Sequence, residues 1–263
     1  MIRARAALLL SLILGGCASA PRLPPFVEKP YEPFSRAEAV AVAWREWRLW
    51  GERIDEGGAA GETKPEREPG LWQRVGEYWW IGLGGRPPEA AWTGKHDADG
   101  MVFPASRDGQ FAWSAAFISY VMRLAGAGRR FPYAADHASY VDAAAAGRAA
   151  GLKAEPAEGT APAPGDLVCH GRDWAADLRF ADLPLRRHWP GHCAIVVEIS
   201  PGSVSVIGGN VDDAVALTHI PVTEQGRLAG PDGTILDPRY PWFVVLRVLY
   251  QIDAVAPAAF TSK

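Results

Sequence analysis

Residues 191–210 read GHCAIVVEISPGSVSVIGGN, and this stretch decides the fold class. Its two apolar runs, at 192–199 and 203–208, flank Pro201-Gly202, a dipeptide typical of tight turns. The pattern predicts two antiparallel strands joined by a short turn. Comparable runs predict three more strands, at 166–170, 214–222 and 242–250. We therefore expect an antiparallel sheet of about five strands.

The chain before residue 150 follows the helical period instead. Ser35 and Glu38 form an S-x-x-E capping box, which predicts that a helix begins after Ser35. Three more helices are predicted at 71–80, 113–125 and about 136–150. Helices followed by an antiparallel sheet are typical of an α+β domain, with the N-terminal helices packed on the sheet.

The N-terminus resembles the signal of an exported bacterial lipoprotein. Arg3 and Arg5 precede an apolar run at 6–14, which is too short to span a bilayer, and the run closes with LGGC ending at Cys17. The resemblance implies that Cys17 is lipidated and becomes the first residue of the mature protein. Because Ala18 is not the aspartate that retains lipoproteins in the inner membrane, it implies anchoring at the periplasmic face of the outer membrane.

Composition and spacing suggest how the rest of the chain is divided. A net charge of −3 gives no support for nucleic-acid binding, and no second apolar run competes with the lipid as a membrane attachment. The predicted parts are a signal peptide at 1–16, a lipidated Cys and Pro-rich tether at 17–34, a helical N-terminal extension at 35–110, a domain at 111–252 and a tail at 253–263. The eleven tryptophans mostly follow helical stripes, which favours core packing over sugar stacking.

Cys169 and Cys193 lie in two neighbouring predicted strands. Alternation along a strand turns Cys193 away from the side of His192, so Cys193 is not a nucleophile paired with that histidine. If the strands pair antiparallel, the two cysteines face each other and form a disulfide in the oxidising compartment. A zinc site that includes His170, or two free thiols, are the less favoured alternatives.

Four segments stand out in the second half of the chain: FAWSAAFISYVM at 111–122, PAPGDLVC at 162–169, GHCAIVVEI at 191–199 and VIGGN at 206–210. In this order they resemble the NlpC-type and CHAP amidohydrolases, which have a papain-like fold and cut peptidoglycan peptides. The resemblance implies a papain-like α+β domain in a bacterial lipoprotein branch classed as a domain of unknown function. It also implies Ser114 as the nucleophile, His192 as the base and Asn210 as the group that orients the imidazole.

Ser114 stands where those families have a cysteine. A helix N-terminus stabilises an anion by about 0.3–1 kcal/mol, which helps a thiol ionise but leaves a serine hydroxyl neutral. Ser114 therefore reacts only if His192 removes its proton during the attack. The first hypothesis is a peptidoglycan amidohydrolase, the second an inactive pseudoenzyme that binds wall peptides or a protein partner, and the third a scaffold without a ligand site.

The long connection at 171–191 is the expected substrate-binding segment. Arg172, Trp174 and Trp189 within it, together with Trp113 beside the nucleophile, are suited to hold a carboxylate-rich stem peptide and its sugar. The alternative is a solvated loop with aromatic anchors. We predict no cofactor and no metal, and we interpret the DADG sequence at 97–100 as a turn because a calcium loop needs more oxygen ligands.

Overall fold

The structure is a computed structural model that describes residues 35–57, 63–86 and 88–249. The predicted signal peptide, lipidated Cys17, tether and tail lie outside these residues. Within them, no helix combines the length and the apolar character that crossing a membrane requires.

Four α-helices of the described residues precede most of the sheet. They are α1 (Arg36–Leu49), α2 (Leu71–Leu83), α3 (Ser114–Leu124) and α4 (His137–Ala145). Ser35 caps α1 by accepting a hydrogen bond from the Glu38 N–H at 3.0 Å, as predicted. Helix α3 is buried along its length from Ser114 to Met122, so it is the central helix of the domain.

Seven strands in the described residues form one sheet. They are β1 (Arg53–Asp55), β2 (Leu152–Pro156), β3 (Leu167–Gly171), β4 (Gly191–Ser200), β5 (Ser203–Val211), β6 (Ala214–Pro221) and β7 (Trp242–Val248). Their order is β1-β6-β5-β4-β3-β7-β2, and every neighbouring pair is antiparallel except β1 with β6.

The α+β class is confirmed, and a strand lies at each of the five predicted positions. The sheet is larger than expected because β1 and β2 extend its two edges. Strand β1 has three residues, too few for a periodic pattern to show. Strand β2 begins just before a segment at 154–165 that is rich in alanine, proline and glycine and has no strand pattern, and it pairs with β7 over five residues.

The two faces of the sheet have separate hydrophobic cores. The helices cover one face, where Cys193 and Ile195 of β4 join a large cluster with α1 to α4. Ala194 and Val196 point to the opposite face and pack in a smaller cluster without helical residues. The tryptophans are largely core residues, as predicted, and five are almost fully buried: Trp50, Trp79, Trp113, Trp189 and Trp242.

The predicted disulfide is present. Cys169 and Cys193 are directly opposite each other in the antiparallel pair β3–β4, with Cα atoms 4.1 Å apart, and their sulfurs are bonded. Both cysteines belong to the core on the helix-covered face. His170 and His192, the next pair in the register, therefore point to the other face.

Candidate functional site

Ser114 is the first residue of α3 and is only 4% exposed. The first helical hydrogen bond runs from the Phe117 N–H to the Trp113 carbonyl at 2.9 Å. The N–H groups that precede it have no acceptor inside the helix, so the helix presents its positive end around the Ser114 hydroxyl.

The hydrogen bond of Ser114 goes to His137. The Ser114 Oγ lies 2.6 Å from the His137 Nε2, and the His137 Nδ1 contacts the Tyr140 hydroxyl. His137 is held there because Asp136 caps α4 by accepting the Ser139 N–H at 2.8 Å, which places His137 in the first turn. The result is a buried chain of serine, histidine and tyrosine.

The sequence predicted His192 as the partner of Ser114, whereas the hydrogen bond of Ser114 in the structure is to His137. Because His192 follows the alternation of β4, its side chain belongs to the face that the helices do not cover. It lies beside His137, with ring centroids 5.5 Å apart, and His170 follows at another 5.5 Å. Three buried imidazoles therefore form a row that begins at Ser114.

Burial determines the charge of this row. Loss of solvent, reinforced by the neighbouring His170 and Arg172, lowers the pKa of His137 to about 3. Burial likewise lowers the pKa of His170 to about 4 and that of His192 below its ordinary value. All three imidazoles are consequently neutral at pH 7.

Ser114 and His137 line a cleft of about 640 Å³, which we call the outer cleft. Its wall combines aromatic rings with charges of both signs. The charged and aromatic residues are Lys64, Trp79, Glu89, Trp92, Asp108, Asp136, Arg172, Asp173, His188, Trp189, Asp212 and Asp213. Lys64 is already paired with Asp213 at 2.6 Å, so the wall has more unpaired acidic than basic groups.

His192 and His170 line a smaller hollow of about 70 Å³, which we call the inner cavity. Asn210, Arg172 and Asp212 line both the inner cavity and the outer cleft. Asn210 has a left-handed backbone with φ of 57°, a conformation that asparagine tolerates well, at a register shift of β5. Asn210 thus lies between Ser114 and His192 as a shared wall residue.

Gly208 and Gly209 explain the VIGGN segment physically. A Cβ at Gly208 would lie 2.7 Å from the His192 Nε2, and one at Gly209 would lie 2.5 Å from the Phe117 Cβ. Glycine at both positions therefore lets β5 approach the histidine row on one side and α3 on the other.

The four predicted substrate-binding residues have different surroundings. Trp113 is 1% exposed and donates its indole N–H to Glu66 at 2.5 Å, so it is a core residue. Arg172 lines both cavities, and Trp189 lines the outer cleft while donating to Asp142 at 3.1 Å. Trp174 is half-exposed, with the Arg187 guanidinium 3.8 Å from its ring centre.

Sequence reasoning missed His137, Tyr140 and His170 as site residues. His137 was assigned only to a helix start, although a histidine and a tyrosine three positions apart in a first turn share one helix face. His170 pairs with His192 in the register of β3 and β4, which the disulfide prediction already implied. Among the described residues, no group of three His, Cys, Asp or Glu side chains has the arrangement a metal ion needs.

A model of one protein family matches residues 66–248, which span α2 to β7 and include both cavities. The family is described as uncharacterized protein conserved in bacteria, DUF2272. No curated protein and no solved structure matches the chain.

Proposed function

The chain belongs to DUF2272, a family of uncharacterized proteins conserved in bacteria, and for it we propose hydrolysis of amide bonds in peptidoglycan peptides. Ser114 is the nucleophile of this proposal, and His137 replaces His192 as the group that takes its proton. The N-terminal LGGC sequence supports a lipid anchor at Cys17 and a location at the periplasmic face of the outer membrane.

One observation carries the proposal: the 2.6 Å contact between the Ser114 Oγ and the His137 Nε2 at a helix start in a large cleft. A nucleophile and base within hydrogen-bond reach, with a third group on the far side of the base, are the parts that covalent catalysis requires. Tyr140 supplies the third group, since its hydroxyl contacts the Nδ1.

The chemistry follows from these positions. With its proton on Nδ1, His137 accepts the Ser114 proton at Nε2 while the Oγ forms a bond to the amide carbon. The carbon–nitrogen bond then breaks, and the amine leaves with the proton from Nε2. Water hydrolyses the resulting ester and regenerates Ser114, while the Ser114 N–H at the start of α3 is a candidate donor to the oxyanion.

We also propose that the domain is of the papain-like type. In support, α3 carries Ser114 at its start and packs against β4 and β5. His192 begins β4, and Asn210 ends the β5 segment that passes under α3. These positions follow the order of the segments that resemble the NlpC-type and CHAP enzymes.

The test is incubation of the full chain with purified peptidoglycan, followed by mass analysis of the released fragments. Wild type should release peptides with newly formed carboxyl and amino ends, and Ser114→Ala should release none while remaining folded. Release by Ser114→Ala at the wild-type rate would refute the proposed nucleophile.

A second candidate function, binding of wall peptides without turnover, is favoured by the surroundings of His137. Its pKa is lowered to about 3 by burial, and its Nδ1 contacts a tyrosine instead of a carboxylate. Charging the imidazole at pH 7 then costs about 5–6 kcal/mol at ~1.4 kcal/mol per pKa unit, an energy that the serine mechanism must overcome. This candidate predicts an inert wild type that binds peptidoglycan, and a gain of fragment release in Ser114→Cys.

A further inference from the structure

The inner cavity contains buried polar groups that the proposed reaction leaves unused. His170 and His192 are 5% and 6% exposed, and both line it. Within residues 35–57, 63–86 and 88–249, the side chain of His192 makes no hydrogen bond. An imidazole that borders a cavity and has no protein partner is free to form a hydrogen bond with a ligand placed there.

The hydrogen bond of the His170 Nδ1 determines whether the other ring nitrogen, Nε2, is a donor or an acceptor. The His170 Nδ1 lies 2.8 Å from the Gly171 carbonyl oxygen, which can only accept, so the Nδ1 carries the proton. Because burial lowers its pKa to about 4, the ring is neutral at pH 7. The Nε2 therefore carries no proton, and it can accept a hydrogen bond from a ligand that has a donor group.

The charged residues that line the cavity favour the binding of a cation. Two carboxylates, Asp55 and Asp212, and one guanidinium, Arg172, line it, which leaves one negative charge in excess. Asp55 is already committed, since it accepts the Thr218 hydroxyl at 3.0 Å. Asp212 has no hydrogen bond to any described residue. Burial and the nearby carboxylates of Asp55 and Asp213 raise its pKa, and the opposing effect of Arg172 and Lys64 does not cancel them.

The remaining walls and the size favour an organic ammonium group. The aromatic residues Tyr240 and Trp242 line the cavity, and aromatic rings can attract a small cation. A water needs about 10–15 Å³, so about 70 Å³ admits a group of only a few non-hydrogen atoms. The described acids and histidines do not converge as metal ligands would, which argues against a metal ion as the occupant.

We propose that the inner cavity binds a primary ammonium group of the peptide whose amide bond lies at Ser114. The inference rests on the proposed function and names a feature of its substrate. Arg172, Asn210 and Asp212 border both spaces, so a chain lying in the outer cleft reaches the cavity between them. The ammonium is either the α-amino end of the peptide or the end of an amino-acid side chain.

Calorimetry with the full chain carrying Ser114→Ala tests this without turnover. The probes are a synthetic lysine-containing tripeptide in four forms: unmodified, acetylated at the α-amine, acetylated at the side-chain amine, and acetylated at both. Acetylation of one amine should weaken binding at least about tenfold, and the amine concerned identifies the source. Equal affinity for the unmodified and doubly acetylated peptides, or no binding of the unmodified peptide, would overturn the proposal.

Two substitutions locate the effect in the cavity. Asp212→Asn removes the free carboxylate, and His170→Asn keeps a donor near the Gly171 carbonyl while removing the Nε2. Each should weaken binding of the unmodified peptide about tenfold and leave the doubly acetylated peptide unaffected. Asp177→Asn, an exposed loop residue outside both cavities, is the matched control and should change neither. No effect of Asp212→Asn would contradict the assignment even if His170→Asn fails to fold.

The two proposals fail in different ways. If wild type cuts no peptide but binding still depends on the free amine, the hydrolase proposal is wrong and the ammonium site stands. If wild type cuts free and acetylated peptides at equal rates, the ammonium site is wrong and the hydrolase stands.

Discussion

Glu46 and His192 are both buried polar side chains, and their surroundings differ completely. The Glu46 carboxylate accepts hydrogen bonds from Arg74 at 2.5 and 2.7 Å, from Arg45 at 2.8 Å and from the Tyr78 hydroxyl at 2.8 Å. The His192 side chain makes none to any residue in the described ranges. Both groups are inside the same domain, yet only the Glu46 side chain is hydrogen-bonded to described residues.

The pKa of each group reflects this difference. Burial alone would raise the pKa of Glu46, but hydrogen bonds from two arginines and a tyrosine outweigh it and hold the pKa below its ordinary value. Burial lowers the pKa of His192 with no hydrogen bond to oppose it. A satisfied buried network stabilises the fold, whereas a buried polar group left without any partner costs about 1–3 kcal/mol. The comparison therefore separates the Glu46 network, in which protein groups supply the hydrogen bonds, from His192 in the candidate site, which has no such partner.

The largest expected effect is on activity, from His137→Ala. Because His137 is the histidine in contact with Ser114, its removal should lower the rate of fragment release by about 10²–10⁴-fold. His192→Ala, one ring further along the row, should lower it less. The measurement is the initial rate of peptide release from purified peptidoglycan.

The double variant Ser114→Ala/His137→Ala sharpens this test. Residues that act as one unit show losses that do not add, so the double variant should be no slower than Ser114→Ala alone. If His192→Ala is the slower of the two histidine variants, the original sequence-based choice of base is right and the observed contact is not the reactive one.

The strands were predictable because period and turn residues are local signals. The run at 191–210 carries its alternation and its Pro201-Gly202 turn within a few residues, and β4 and β5 lie there. The disulfide followed from the same alternation once the two strands were paired. Strand β1 was not predicted because its three residues are extended through pairing with β6, which is remote in sequence.

The site was only partly predictable. Ser114 and Asn210 do line one cleft, but the contact of Ser114 with His137 depends on how α3 and α4 pack, which periodicity does not encode. The prediction of His192 relied on a resemblance and ignored the face of β4 on which it lies. Its own alternation with Cys193 already placed the two side chains on opposite faces.

The Glu46 network should dominate stability. Glu46→Ala leaves two guanidinium groups and two tyrosine hydroxyls without their shared acceptor, and we expect a loss of about 3–5 kcal/mol in the free energy of unfolding. Urea unfolding measures it. Glu77→Ala, which removes a half-exposed partner of Arg74, is the control and should cost less than about 1 kcal/mol. An equal loss of unfolding free energy in the two variants would show that the buried Glu46 network stabilises the fold no more than the exposed pair of Glu77 with Arg74.

The disulfide is expected to have the next largest effect on stability. Its sulfurs lie 24 residues apart in sequence, and closing a loop of that length stabilises the fold by about 3–4 kcal/mol on the chain-entropy argument. We expect that loss for Cys169→Ala with Cys193→Ala in urea unfolding. Fragment release should persist at a temperature where the variant is folded, since the cysteines face away from the histidine row. Loss of release from a folded variant would show that the two faces of β3 and β4 are coupled.

The smallest effect is on the pH dependence of stability, and it tests the histidine row directly. A histidine of the unfolded chain titrates near 6.5, whereas burial lowers the pKa of His137 to about 3 in the folded chain. At a pH between these two pKa values, His137 is protonated in the unfolded chain and neutral in the folded chain. The contribution of His137 is therefore complete above pH 6.5 and is lost as the pH falls, by up to about 1.4 kcal/mol per pH unit.

Glu66 opposes this trend, because burial raises its pKa to about 7 and the folded chain then binds a proton more readily than the unfolded one. For that reason the test compares slopes between variants. Urea unfolding at pH 6.5, 5.5 and 4.5 should show that His137→Gln loses stability less steeply than wild type, by up to about 1.4 kcal/mol per pH unit. His188→Gln, which removes an exposed imidazole at the cleft rim, should keep the wild-type slope. A wild-type slope in His137→Gln would mean that His137 accepts a proton in the folded chain, and the contrast with Glu46 would no longer hold.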